Sequence, residues 1–284
     1  MSGTGASDWE WDKTLYGGSA AYYAMGRVPY PAELARAMSA ELRLDGTGRL
    51  LDCGCGPGSL TLLLAPLVGE AIGIDADEDM IAQARQAAKR TAAGNVSLLQ
   101  LRAEELPAGL GEFRVVTFAQ SFHWVDRHVV AKAVRSMLTP GGVCVHVFAT
   151  THEGVPGDDE LASPRPPRSQ IAELITRYLG PVRRAGQGSL PDGPPSDTAR
   201  AMQAAGFEGP QQVDLPGGEV RARTEDEVVA SVFSLSSAAP HLFGDRLSEF
   251  ERDLRALLRA TSADGHFAER MRGSAFDIWR PVRK

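Results

Sequence analysis

Between Arg49 and Phe148, short apolar runs alternate with segments whose apolar residues recur every three or four positions. This is the pattern of β-α-β units building a mostly parallel sheet. Arg49-Leu50-Leu51-Asp52 predicts a first strand, followed by a helix that opens at Ser59 as its N-cap and carries Leu60, Leu63, Leu64 and Leu67 on one face. Ala71 to Asp75 predicts the second strand. Asp77 caps the next helix, Met80, Ile81, Ala84 and Ala88 face the sheet, and Gly94 marks the exit. Val96 to Leu101 and Phe113 to Ala119 predict strands three and four. Val130, Ala133, Val134 and Met137 then share a helical face before Pro140-Gly141-Gly142 turns the chain into a fifth strand, Val143 to Phe148.

The pattern changes after Phe148. Residues 151–169 and 181–197 are dense in Pro, Gly and Asp and read as exposed loop. Ile171, Leu174, Ile175 and Tyr178 mark a helix between them, and Leu247, Phe250, Leu254, Leu257 and Leu258 mark another. Gln211 to Leu215 and Ala275 to Trp279 predict closing strands, and no internal repeat is visible.

The first strand runs into Asp52-Cys53-Gly54-Cys55-Gly56-Pro57-Gly58, where glycines permit left-handed dihedrals and let a ligand approach without meeting a Cβ. A glycine-rich turn alone is weak evidence. The second strand, however, ends in Asp75, whose carboxylate can accept hydrogen bonds from both hydroxyls of a ribose. The blander role for Asp75 is helix capping. A dinucleotide enzyme shares the acidic residue, but its G-x-G-x-x-G needs a third small residue for helix packing, and counting from Gly54 that position is Ser59. Asp52, just ahead of the glycines, would repel a pyrophosphate and suit a cationic group. A nicotinamide-dependent NAD(P) oxidoreductase stands as the alternative from another class.

Composition narrows the choice. The 284 residues are 43% apolar with a formal charge of -6, and no lysine-arginine run is present, so nucleic acid is not the expected partner. No basic segment followed by an apolar core opens the chain and no long apolar stretch occurs, so a cytoplasmic protein with no membrane association is expected. Three cysteines cannot all pair, and Cys53 and Cys55 lack the further ligands a metal needs, so no metal is expected. Abundant Ala, Gly, Arg and Pro point to a bacterial source of high GC content.

In order and spacing, LLDCGCGPGSLT, IGIDADEDMI, LRAEELP, FRVVTFAQSFHWVD and LTPGGV resemble class I S-adenosylmethionine-dependent methyltransferases of the small-molecule, type 11-like kind, over residues 20–148. The resemblance implies an α/β fold: a Rossmann-like, seven-stranded, mostly parallel sheet with helices on both faces. It also implies an N-terminal lid or helical segment at residues 1–40, the cofactor-binding core at 41–150, and substrate-side insertions with closing strands of the same domain at 151–284. S-adenosyl-L-methionine is the implied cofactor. Asp52, Gly54 and Gly56 would hold its methionine part, Asp75 with Ala76 its ribose, and Met80, Ala103 and Glu104 would border the adenine. The family often has Asp where Arg102 or Ala103 stands here. Ala119, Gln120 and Trp124 would line the cofactor near the methyl group, with Phe122 and His123 on the substrate side; the blander place for Phe122 and Trp124 is the core.

Trp9, Trp11, Tyr16, Tyr22, Tyr23 and Tyr30 are six of the nine Trp and Tyr residues in the chain. Such crowding ahead of the first strand resembles a lid in which a Tyr-x-x-x-Arg-x-x-Tyr-Pro stretch, Tyr23 to Pro31, covers the cofactor. Arg27 would then meet the cofactor's carboxylate. Tyr16 and Tyr23 would touch substrate, and Tyr16 and His123 are the candidate catalytic residues. An amine acceptor attacks unaided, whereas a hydroxyl needs a base such as His123 or a tyrosinate. The expected acceptor is an N or O atom of a small molecule, a specialised metabolite such as an antibiotic intermediate of the actinobacterial kind. Carbon methylation of a quinone-type substrate, carboxyl methylation of a trans-aconitate-type substrate, and a non-catalytic cofactor-binding scaffold are the alternatives. A homo-oligomer is left open.

Overall fold

The computed structural model describes residues 14–185, 188–190 and 197–282. Trp9 and Trp11, the first thirteen residues of the expected N-terminal segment and part of the 181–197 loop lie outside them. Helix α1 (Ala20–Gly26) and helix α2 (Ala32–Leu42) precede the alternating core: β1 (Arg49–Cys53), α3 (Ser59–Leu64), β2 (Glu70–Asp75), α4 (Glu78–Arg90), β3 (Val96–Gln100), β4 (Phe113–Ala119), α5 (Arg127–Ser136) and β5 (Leu138–Ala149). The rest comprises α6 (Arg168–Leu179), β6 (Arg183–Ala185), β7 (Gly188–Leu190), α7 (Thr198–Ala204), β8 (Phe207–Leu215), β9 (Val220–Thr224), α8 (Glu225–Phe233), α9 (Leu247–Thr261), β10 (His266–Arg270) and β11 (Ser274–Pro281).

The expected seven-stranded sheet is present, in the order β3-β2-β1-β4-β5-β11-β8. Strands β1 to β5 are mutually parallel, and β11 inserts antiparallel to both β5 and β8. A dinucleotide-binding sheet runs 3-2-1-4-5-6, so the reversed strand departs from it. Consecutive apolar residues feed opposite faces, as a doubly covered sheet requires. Leu51, Val116 and Cys144 join one core with Val130, Val134 and Trp279. Leu50, Val115 and Val143 join another with Leu34 and Met38 of α2 and Leu60 and Leu64 of α3. A third core lies off the sheet, where α6, α8 and α9 pack Leu174, Phe233 and Phe250 together with Tyr22 of α1. The expected boundary at residue 40 falls inside α2, whose Leu34 and Met38 pack on the sheet.

Local chemistry explains where the helices differ from expectation. Ser59 is not an N-cap: Gly58 takes that place with φ +82°, and no side chain caps the helix. The Leu60 to Leu67 face is split, because α3 ends at Leu64 and a 3-10 turn from Ala65 to Leu67 begins around Pro66. Asp77 does cap α4, accepting from the N–H groups of Asp79 and Met80. Pro140-Gly141-Gly142 does not end a segment; it is a shift of register against β4 inside one long β5.

Candidate functional site

Three glycines of the turn after β1 have left-handed backbones, at φ +66°, +55° and +82° for Gly54, Gly56 and Gly58. Their surroundings differ. A Cβ on Gly54 would stand 2.5 Å from Ser121 Cβ, and one on Gly58 would stand 3.3 Å from Ala84 Cβ, so these two glycines admit β4's extension and α4. A Cβ on Gly56 would meet nothing within 4 Å. Gly56 therefore faces open space, and its N–H donates to Asp75 Oδ2 at 2.8 Å. The second Asp75 oxygen accepts from Asp77 N–H at 2.9 Å. Burial pushes the Asp75 carboxyl up to about 6 even though these bonds favour the anion.

Gly56 and Asp75 open on a cleft at the end of the turn. It lies outside the carboxyl ends of β1 and β4, where the strand order reverses and open α/β sheets bind ligands. Its walls bring together expected residues from distant segments: Tyr16 and Tyr23, Gly54 and Gly56, Asp75, Ala76 and Met80, Ala103 and Glu104, and Ala119, Gln120 and Trp124. Tyr16 packs edge-on against Trp124 with ring centroids 6.0 Å apart. Glu104 accepts from Asp126 N–H at 2.9 Å and pairs with Arg102 at 3.6 Å. Leu15, Leu101, Arg102, Ser121 and Val125 also line the cleft and were not singled out from sequence. Leu101, Arg102 and Ser121 lie within two residues of strand ends, which was the available signal; Val125 offered none.

Three expected site residues stand elsewhere. Asp52 is fully buried beneath the turn, accepting from Thr61 Oγ1 at 2.6 Å and Thr117 Oγ1 at 2.8 Å, so it braces the turn and does not face the cleft. Burial raises its carboxyl above the usual range, opposed by the two hydroxyls. Phe122 is a core residue that packs on His146 and Phe118 at centroid distances of 4.4 and 4.9 Å, so the substrate-side place expected for it is not where it sits. His123 is not in the cleft wall; it lies against Trp124, its ring 5.1 Å away, and burial with Arg127 nearby brings its imidazole down to about 4. Tyr16 does line the cleft, but burial, then Tyr23, hold its phenol far above the usual range.

Arg27 lines a second cavity that shares Tyr23, Gly54, Gly56 and Ala119 with the cleft. No Asp or Glu lines that cavity. Its guanidinium stands 4.8 Å from the centroid of the Tyr23 ring. Among the described residues, no group of three or more His, Cys, Asp or Glu side chains is placed to hold a metal ion.

Residues 50–142 match the model of a methyltransferase domain. An uncharacterized methyltransferase of Mycobacterium tuberculosis is 31% identical over 169 residues, covering 59% of this chain and 61% of that protein. A demethylmenaquinone methyltransferase of Lactococcus lactis is 35% identical over 131 residues, 44% of this chain and 51% of that one. A ubiquinone biosynthesis O-methyltransferase of Acinetobacter baumannii is 33% identical over 105 residues, 36% and 43% of the two chains. The alignments thus span less than two thirds of these relatives. The crystal structure of the YcgJ protein of Bacillus subtilis superposes with a TM-score of 0.51 at 17% identity, over 89% of this chain and all of that one, a likeness of fold.

Proposed function

Residues 50–142 match a methyltransferase domain, and from that premise we propose that the protein is a class I methyltransferase that methylates a small molecule with S-adenosylmethionine as donor. The observation that carries the proposal is the pairing of Gly56, whose missing Cβ opens on the cleft, with the carboxylate of Asp75 beside it. These residues fit a ribose-bearing ligand. Asp75 would accept from the ribose hydroxyls, and Met80, Ala103 and Glu104 would border the adenine. Arg27, which has no carboxylate partner among the described residues, would face the acid end of the methionine. When bound there, the cofactor supplies a methyl group already activated on a sulfonium. The protein's part is to orient the acceptor and exclude water, for which Tyr16, Tyr23 and Trp124 provide an aromatic wall.

The burial of the two candidate bases narrows the acceptor. His123 at about 4 is a weak base outside the cleft, and the Tyr16 phenol stays protonated. With neither serving as base, the reading favours an acceptor that needs none: an unprotonated amine, or an oxygen already ionised in water, such as a carboxylate or acidic phenol. Specialised metabolites are among the acceptors this reading includes. The relatives named for demethylmenaquinone and for ubiquinone biosynthesis favour a quinone-type substrate as second reading. Among the described residues no helix is long and apolar enough to cross a membrane.

The test is incubation with methyl-labelled cofactor and pooled metabolites, read by mass spectrometry. Gain of one labelled methyl by an amine, carboxylate or phenol supports the proposal. Oxidation or reduction of a metabolite with a nicotinamide cofactor, and no methyl gain, would overturn it.

A further inference from the structure

Among the described residues Arg27 has no carboxylate partner, and its guanidinium is held by α8. Its Nε–H donates to Ser234 Oγ at 2.8 Å, and one terminal N–H donates to the Ser234 carbonyl at 3.0 Å. The other terminal nitrogen lies 3.3 Å from His152 Nδ1, which accepts when the imidazole proton is on Nε2. Ser234 is itself fully buried, and its hydroxyl donates to Ser231 O at 2.7 Å, which orients its lone pairs toward Arg27.

The approach of the two helices is fixed at Gly26, the residue before Arg27. A Cβ on Gly26 would stand 2.4 Å from the carbonyl of Ala230, so α1 and α8 touch backbone to backbone. Arg223 of β9 donates to Gly26 O at 2.9 Å, and the Tyr22 ring packs 5.0 Å from Phe233. Three independent contacts therefore set the position of Arg27 along α8, and the second cavity it lines continues into the cofactor cleft through Gly54 and Gly56.

We infer that Ser234 is a positioning residue for cofactor binding: it fixes the Arg27 guanidinium at the methionine end of the site, so affinity is set partly from outside the matched domain. The inference rests on the proposed methyl-transfer reading. Ser234 touches no ligand itself; it acts through Arg27, whose guanidinium it holds in one orientation before the ligand arrives.

The test combines S-adenosylhomocysteine titration with hydrogen exchange of the ¹⁵N-labelled Arg27 Nε–H. In the ligand-free protein that proton should exchange slowly, and Ser234→Ala should speed its exchange at least tenfold. Ser234→Ala should weaken S-adenosylhomocysteine by about three- to tenfold, the scale of one lost hydrogen bond. It should also raise KM for the donor with kcat unchanged. Ser234→Thr, which keeps the hydroxyl, should restore both. Arg27→Lys, which keeps the charge but loses the Nε–H, should weaken binding similarly, and adding Ser234→Ala to it should cost nothing more. An equal further loss in the Arg27→Lys background would show a merely structural role and overturn the inference. So would unchanged affinity in Ser234→Ala. If the wild-type chain binds no S-adenosylhomocysteine, the methyl-transfer reading falls, and the role of Ser234 is decided by the Nε–H exchange alone.

Discussion

Gly56→Val and Gly54→Ala should fail in opposite ways. At Gly56 the new side chain has room in the protein but fills the cleft, and φ +55° costs about 1–2 kcal/mol, so circular dichroism should show a folded chain that has lost S-adenosylhomocysteine binding. At Gly54 the Cβ collides with Ser121 Cβ, so thermal unfolding should fall sharply and recover in part with Ser121→Gly. Asp75 gives a pH signature. Its carboxyl, pushed up to about 6, gains a proton as pH falls from 7 to 5 and loses acceptor capacity, so cofactor affinity should drop across that window. Asp75→Asn should bind more weakly by about 1–3 kcal/mol and lose the pH dependence. The glycines and Asp75 were legible because the residues that define them are neighbours in sequence. The burial of Asp52 was not, because one of its partners, Thr117, arrives 65 residues later. The orientation of His123 was equally hidden, since it depends on how the turn after β4 folds over Arg127.

At the level of elements, the N-terminal segment changes meaning. From sequence it resembles a lid over the cofactor; in the structure α1 is also docked on α8 and contributes Tyr22 to the third core. Removing residues 1–31 should therefore lower the melting temperature as well as turnover, and Gly26→Ala alone should do the same by prying α1 from Ala230. A truncated chain that melts like the wild type would show that this contact is dispensable. The helix α8 was missed because Val228 to Phe233 are all buried and show no periodic face. The Thr224-Glu227 capping box was the one local sign of its start. The five alternating strands were legible, since a buried parallel strand must be apolar on both faces. The slot of β11 between β5 and β8 is a long-range pairing that no local pattern encodes.

The whole molecule carries three depressed histidines. Burial brings His146 and His152 down to about 3, the latter helped by surrounding arginines, and His123 down to about 4. Each titrates near 6.5 when unfolded, so below that pH the unfolded chain binds more protons and the fold loses stability as pH falls toward 3 to 4. Asp52 and Asp75, with raised carboxyls, act in the opposite sense at lower pH, and Asp75 starts to offset the histidines near its value of about 6. His146 has an unpartnered Nε2 among aromatic rings, so His146→Phe should make the acid limb of denaturant-measured stability shallower by up to about 1.4 kcal/mol per pH unit. A slope unchanged by the substitution would show that His146 is not held neutral. The central claim, that the cleft is built for S-adenosylmethionine, meets its most direct test in calorimetric titration of the intact chain with S-adenosylhomocysteine and, separately, NADH. One-to-one binding of S-adenosylhomocysteine that disappears in Gly56→Val, with no heat from NADH, is the predicted result; saturable NADH binding and none of S-adenosylhomocysteine would contradict it.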